Sequence, residues 1–432
     1  MYNPDKRTQS VRTFAERLEE SAGELAQDLV LEVQMAHRFA AAGHVPEAAR
    51  LLRCFDGGDG LPFHPSLRTG ERRALGSVAI QLGDDAPLTG LARAAGAAFV
   101  AGNRQVIVNL PPTCIELTSR LARLAEDLLP GVIFTAEMPD AFLLRSLTDA
   151  FTRAIWWAGD PVMVLPYGAL IRDTRTRFIA EAATNDPAVV GNLADVGSAA
   201  TAIVEAAFRN GGRDPARIGR VYATEGVYKA LVAAIREGAS ALTVAQPADA
   251  SADVSPLASV AARVALLEWL DDADDADASV DVDLNFRHFG GDSMPVLYPT
   301  VVSDCAPHLS IVRNPKQGAV LPIVRVADGE NLAAAVAEGG QGCAISLFGA
   351  SPDEVADFAG RYTHVFTDST AFSADNAHAR HHWGGTPGFV VDPDGRVRTG
   401  PQVLVAELSE ARPTRRDRPA TSPAPTPRQL PV

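Results

Sequence analysis

Lysine is scarce in this chain of 432 residues, with only Lys6, Lys229 and Lys316. Arginine supplies the other cations, which together with the abundant alanine reflects a GC-rich genome rather than a mechanism. Positive charge as a whole is in deficit. Lys and Arg number 39 against 53 Asp and Glu, giving a net charge of −14. That balance argues against a nucleic-acid binder or a protein held on an anionic membrane, because both need excess positive charge against phosphate. Cysteine is also rare. Cys54, Cys114, Cys305 and Cys343 form no C-x-x-C pair, which argues against a structural zinc site and a disulfide framework. Long apolar runs are missing as well, and the longest, near Leu91–Gly102, is short and broken by glycine. The polar start MYNPDKRTQSV leads into a charged helical pattern rather than a signal peptide. The expectation is a soluble, cytoplasmic protein.

Hydrophobic residues make up 47% and charged residues 21%, an ordinary globular balance, and the length allows two or three domains. Ser10–Cys54 shows helical spacing, with Phe14, Leu18, Leu25, Leu29, Leu31, Met35 and Phe39 on the apolar side. FDGGDGLPFHP (Phe55–Pro65) breaks the pattern. From Leu75 onward strand-like and helical runs alternate: SVAIQL, an Ala/Gly helix, QVIVNL, the helix TSRLARLAEDLL, GVIFTA, then RFIAEA and PAVVGNL. That alternation predicts parallel α/β sheets. DDADDADASVDVD (Asp271–Asp283) lacks the mid-loop glycine and closing glutamate of a calcium loop and reads as a solvated acidic loop. The tail from Ser409 is rich in Pro and Arg and reads as disordered.

Five strings in order then identify a resemblance to the aldehyde dehydrogenase superfamily, from roughly Arg72 to Leu408. GSVAIQLGDDAPLTGLARAAGAAFVAGNRQVIV is similar to the family's strand, Pro-Trp-Asn loop, helix and glycine-asparagine turn. FIAEAATNDPAVVGNLADVGSAATAIVEAAFRNGG is similar to its strand leading to the catalytic turn. FGGDSMPVLYPTVVSDC, then AVLPIVRV with GQGCAISLF, and finally WGGTPG match its later segments. The resemblance implies two doubly wound α/β domains and a small strand element for oligomerisation. It divides the chain into an N-terminal helical segment (1–70), a degenerate Rossmann-like cofactor-type domain (71–181) and a catalytic-type α/β domain (182–388). Oligomerisation strands (389–408) and the tail (409–432) follow. The strand pair implied near Leu75 and Val403–Ala406 points to a homo-oligomer, dimer or tetramer, or to a hetero-oligomer with an enzyme partner.

The family's chemistry needs a cysteine thiolate in a turn N-x-G-Q-x-C. Here the turn reads Asn210-Gly211-Gly212-Arg213-Asp214-Pro215, with Pro215 in the cysteine's place. The family's general-base glutamate falls on Glu181, with the family's separation from Pro215 kept. Asn210 survives, as a group that satisfies backbone rather than one that reacts. The oxyanion-binding asparagine becomes Asp85, expected to be ionised and repulsive, and Pro215 has no N–H to give.

The cofactor positions are altered too. Val108 and Pro111 stand in the ribose-binding strand and loop, and Gly159 and Asp160 in the diphosphate turn. Pro315 replaces the nicotinamide-ribose glutamate. No dinucleotide contact stands in this pattern, so the expected cofactor is none, with NAD or NADP returning only if the dehydrogenase reading holds.

Trp157, His381 and His382 are placed at the substrate tunnel by the same resemblance, and the His378, His381 and His382 group fits no standard metal motif. Cys114, Cys305 and Cys343 read as small core residues. Three functions follow from this pattern. The first is a pseudoenzyme or partner subunit that has lost Cys-dependent NAD(P) aldehyde oxidation, with room for a small-molecule ligand. The second is a repurposed cofactor-independent enzyme using Glu181 and the old tunnel. The third is a residual NAD(P)-dependent oxidoreductase.

Overall fold

The computed structural model describes residues 4–56, 72–159, 161–174, 176–181, 185–257, 259–280, 286–287, 296–327, 331–340, 342–359, 361–362, 364–373, 390–391, 397–398 and 409–411. The amphipathic N-terminal pattern folds as α1 (Pro4–Glu20), α2 (Ala22–Val33) and α3 (Val45–Arg53). Val11, Phe14, Leu18, Leu25 and Leu29 are buried on one face, as a 3.6-residue period requires. Leu31, placed on that face by spacing, is instead 67% exposed. Two residues after Leu29, its side chain turns away from the sheet.

These helices close one face of a five-stranded sheet. Its strands are β2 (Ser77–Gln81), β3 (Gln105–Asn109), β4 (Val132–Thr135), β5 (Thr152–Ala158) and β6 (Arg177–Glu181), preceded by a short β1 (Arg72–Ala74). The order is β4-β3-β2-β5-β6, with every pairing parallel. SVAIQ of β2 is buried along its whole length, because a central parallel strand is covered on both faces. The chain leaves β2 toward β3 and β4, then returns to β5 on the other side. The crevice beyond the strand ends therefore opens between β2 and β5, where such sheets place ligands. α4, the helical run over residues 87–100, follows β2, and α5 (Ile115–Ala125) and α6 (Pro139–Thr148) follow β3 and β4.

The second sheet contains β7 (Asp186–Val190), β8 (Ile218–Thr224), β9 (Ser279–Val280), β12 (Thr300–Ser303), β13 (Val320–Val326), β14 (Ala344–Phe348) and β15 (His364–Thr367). Short strands β10 (Phe286–Arg287) and β11 (Val296–Leu297) pair with each other, as do β16 (Val390–Val391) and β17 (Val397–Arg398). The order of the second sheet is β15-β14-β7-β8-β13-β12-β9, parallel except at β9. α7 (Val196–Phe208) is capped by Asp195, whose carboxylate accepts from the Gly197 and Ser198 amides. α8 (Glu225–Ser240) follows β8. α9 (Val260–Asp275) is capped by Ser259 accepting from Ala262 N. Separate hydrophobic clusters fill the two faces of this sheet.

Two boundaries differ from expectation. Asp271–Asp275 of the acidic run forms the last turn of α9 rather than a loop, since Leu266, Leu270 and Ala273 bury its other face. Ser409–Ala411 is not tail. It forms β18, paired antiparallel with β1 so that Arg73 faces Glu410. The rest of the tail, 412–432, lies outside the described residues, as do Val403–Ala406.

Candidate active site and cofactor crevice

Two spaces open at the strand ends of the first sheet. A cavity of about 580 Å³ is walled by the loop after β2 (Gly83, Asp85, Ala86), by Arg93 of α4, and by Trp156, Ala158 and Gly159 of β5. Glu181 at the end of β6, Pro215, the α9 residues Ala262, Leu266 and Trp269, and Asn314, Pro315 and Gln317 complete it. The second space, about 320 Å³, is the crevice between β2 and β5, lined by Glu32, Gln81, Asp84, Pro111, Trp157, Gly159, Met163 and Arg213 among others.

The structure thus brings Glu181, Asp85, Pro215, Gly159 and Pro315 to one cavity. Glu181 is not free there. Arg93 Nη1 donates to its Oε2 at 2.7 Å and Nη2 to its Oε1, a bidentate pair whose side chains are 3% and 10% exposed. The guanidinium also lies 5.7 Å from the Trp156 ring. Sequence reasoning missed Arg93. The signal was its charge alone in LARAAGAAFV, since a cation on a buried Ala/Gly helix requires an acid facing it.

Asn210 is buried at φ +50 in the turn after α7. Its Nδ2 donates to Asp85 O at 3.1 Å, and its Oδ1 accepts from Ser255 Oγ at 2.7 Å. Arg213 is 3% exposed and donates to Val33 O at 3.1 Å and Asp84 O at 3.3 Å. The glycine pair between them is required. At Gly212, with φ +73, a Cβ would sit 2.1 Å from Gly318 O.

Asp85 differs from its reading as an ionised group. Its carboxyl is enclosed between the large cavity and a small pocket lined by Phe39, His44, Arg209 and Asp214. Burial first, then Asp84 and Asp214 against the pull of Arg213, raises it to about 7. Near neutrality it is part protonated, and a neutral carboxyl donates a hydrogen bond.

Two further positions of the family pattern lie on β3 and β5. Val108 does not face the crevice; it is fully buried in the core, in register with Ile80 and Phe134. A parallel strand sends alternate residues to opposite faces. Trp157 is 2% exposed and lines the crevice, whereas its neighbour Trp156 lines the cavity. Behind Gln81 of the crevice wall, Asn109 Nδ2 donates to Gln81 Oε1 and Glu137 O, and its Oδ1 accepts from Thr135 Oγ1 and Glu137 N. Glu32 reaches across from α2, its carboxylate accepting from Glu116 N and Leu117 N at the start of α5. After Gly159 the chain forms a 3-10 segment, Pro161–Tyr167, with Pro166 inside it, then a short helix Gly168–Asp173. Asp160, His378, His381 and His382 lie outside the described residues.

The cysteines stand elsewhere. Burial pushes the Cys114 and Cys305 thiols up to about 12. Cys54 is buried with its thiol on Arg50 O at 3.4 Å, and Cys343 is half-buried before β14. Among the described residues no helix is long and apolar enough to cross a membrane.

Two doubly wound α/β sheets, joined at a cavity beyond the strand ends of the first, define the class of fold. The chain belongs to the aldehyde dehydrogenase family: the sequence profile described as "Aldehyde dehydrogenase family" matches residues 2–385. It is 24% identical over 439 residues to a 3-sulfolactaldehyde dehydrogenase of Priestia aryabhattai, covering 95% of this chain and 86% of that one. It is 28% identical over 250 residues to succinate-semialdehyde dehydrogenase [NADP(+)] 1 of Mycobacterium ulcerans, covering 56% of this chain and 52% of that one. Among solved structures it is similar to a lactaldehyde dehydrogenase, with TM-score 0.81 at 18% identity over 95% of this chain and 86% of that chain.

Proposed function

We propose that this member of the family does not carry Cys-dependent NAD(P) aldehyde oxidation and serves as a pseudoenzyme or partner subunit that has kept its inter-domain cavity. The observation that supports this is the composition of the cavity wall. Pro215 stands on it where the family's nucleophile falls, facing the same space as Glu181, and no cysteine lines it among the described residues. Proline has neither a thiol to attack a carbonyl nor an N–H to steady an oxyanion.

The residues at the crevice do not suit a dinucleotide. Its diphosphate needs cations or a helix N-terminus. Here the segment after β5 is a proline-bearing 3-10 turn. The Glu32 and Asp84 carboxylates line the space, and Arg213 is already bonded to Val33 and Asp84 carbonyls. Pro315 has no carboxylate to take a ribose.

The second reading, acid–base chemistry from Glu181, is weakened by the Arg93 clamp, since both carboxylate oxygens are already engaged by one guanidinium. Self-association or pairing with an intact relative would use the β1–β18 ribbon, a two-stranded element outside both main sheets.

The test is reduction of NAD or NADP by the purified full chain with 3-sulfolactaldehyde, succinate semialdehyde and lactaldehyde, before and after iodoacetamide. No turnover is expected. Turnover that iodoacetamide abolishes would overturn the proposal.

A further inference from the structure

Four carboxylates stand around the cavity and the turn beside it, and three of them have a guanidinium. Glu181 is clamped by Arg93. Asp214 faces Arg209, Nε to Oδ2 at 3.4 Å, with that guanidinium set against the Phe39 and Phe372 rings. Asp84 faces Arg213 at 3.5 Å. Asp85 has none. Among the described residues its carboxyl makes no ion pair, and the Asn210 amide goes to its backbone carbonyl instead. On the small-pocket side, Glu47 pairs with Arg50, and burial holds His44 down at about 3, so His44 is neutral there. Asp85 is therefore one carboxyl in excess, facing a space of about 580 Å³ with two indole rings in its wall.

We propose that this cavity binds a protonated amine, its ammonium on the Asp85 carboxylate and its apolar body against Trp269. The inference rests on the reading that the cavity is kept without thiol chemistry. An ammonium supplies the missing counter-charge, and aromatic faces favour a cation that has left water. An anionic ligand would meet the uncompensated Asp85 carboxylate in this cavity. A neutral carbonyl compound gains nothing from a carboxylate. Arg93 does not compete for Asp85, because both of its Nη groups are held by Glu181.

The linkage has a definite sign. Without ligand, the Asp85 carboxyl lies near 7, so a cation that needs the ionised form must displace its proton. Below that pH binding weakens; above it binding is fully developed. The other groups facing Asp85 are Asp84 and Asp214, each with an Arg, the Glu181–Arg93 pair, Glu47 with Arg50, and His44, which is neutral in this range.

The experiment is calorimetric titration of the full chain with benzylamine, and with benzyl alcohol as its uncharged counterpart, at pH 6, 7 and 8. Two buffers of different ionisation enthalpy report the protons exchanged. Benzylamine should bind more tightly than benzyl alcohol, and its affinity should rise about tenfold from pH 6 to pH 8, as the ionised fraction goes from about 0.09 to about 0.91. About half a proton should be released per ligand at pH 7. Asp85→Asn keeps the side-chain shape and should remove both the preference for the amine and the pH slope. Ala262→Phe, which fills the cavity from α9, should remove binding of both compounds. Equal affinity for amine and alcohol, no benzylamine binding at any pH, or a slope that survives in either variant overturns the proposal. None of these outcomes bears on thiol chemistry, which the aldehyde assay decides separately.

Discussion

Replacing Arg93 by methionine is expected to destabilise the first sheet's domain more than replacing Arg93 and Glu181 together. In the folded chain the two side chains are 3% and 10% exposed, so each has left most of its water for the other. Arg93→Met keeps the packing of the aliphatic stem but leaves the Glu181 carboxylate with only the cavity to solvate it. Removing one partner of a buried pair costs roughly 3–5 kcal/mol. The cavity in front of Glu181 places the cost at the lower end, about 3 kcal/mol. For a unit of this size a melting temperature moves by about 2–4 °C per kcal/mol, so Arg93→Met should melt about 6–12 °C lower. Arg93→Met with Glu181→Leu removes both charges and should recover to within about 1 kcal/mol of the parent, because the desolvation of both groups is relieved along with their attraction. Differential scanning calorimetry of the three chains gives the ranking. A double variant melting below Arg93→Met, or a single variant melting with the parent, would refute the view that this is a buried ion pair isolated from solvent.

Other expectations follow from the same geometry. Asn210→Ala loses the bonds to Asp85 O and Ser255 Oγ and keeps a Cβ at φ +50 without the polar side chain that lets Asn tolerate that region; Asn210→Gly loses the same bonds but also removes the Cβ. Thermal melts should therefore put alanine below glycine by about 1 kcal/mol, and the reverse order would count against the turn geometry. Gly212→Ala should cost more than about 2 kcal/mol, since its Cβ meets Gly318 O in a backbone region alanine avoids; a parent-like melting curve would contradict it.

The pH dependence of stability combines two opposed groups. The folded-state value of His44, about 3, lies below its unfolded value near 6.5, so its contribution is lost as pH falls from 6.5 toward 3. Asp85 is raised to about 7, so its protonated form favours folding at low pH and that contribution is lost as pH rises through 7. Asp85→Asn should therefore unmask an acid sensitivity of up to about 1.4 kcal/mol per pH unit between pH 6 and 4, read from denaturation curves. A slope unchanged from the parent would refute this. In thiol titration of the native chain at pH 8, Cys114 and Cys305 should react far more slowly than a free thiol; a rapid burst localised to either one by peptide mapping would contradict their burial.

The strands of both sheets are legible in the sequence because buried parallel strands are continuous apolar runs, and SVAIQ and AISLF are buried at every position. The gathering of Glu181, Asp85, Pro215 and Pro315 at one cavity follows from residues at the ends of strands and turns that a family pattern places. What the sequence does not carry is which polar groups meet across elements. Arg93 and Glu181 are 88 residues apart and Asn210 and Ser255 are 45 apart, and no local period connects them. Which side Val108 and Trp157 present is likewise not fixed by a family pattern, because along a strand one residue changes the face. The protonation of Asp85 is illegible in principle, since it depends on enclosure and on three neighbouring charges.

The glycine turn after α7 acts as a mechanical fastening. Asn210 and Arg213 together tie it to the carbonyls of Asp85, Val33 and Asp84, all on the first sheet's side, while Ser255 joins Asn210 to Ala36 N. A rigid-body hinge between the two sheets would have to break these bonds at once. The turn thereby couples the two sheets mechanically, so that a displacement of one is passed through these bonds to the other.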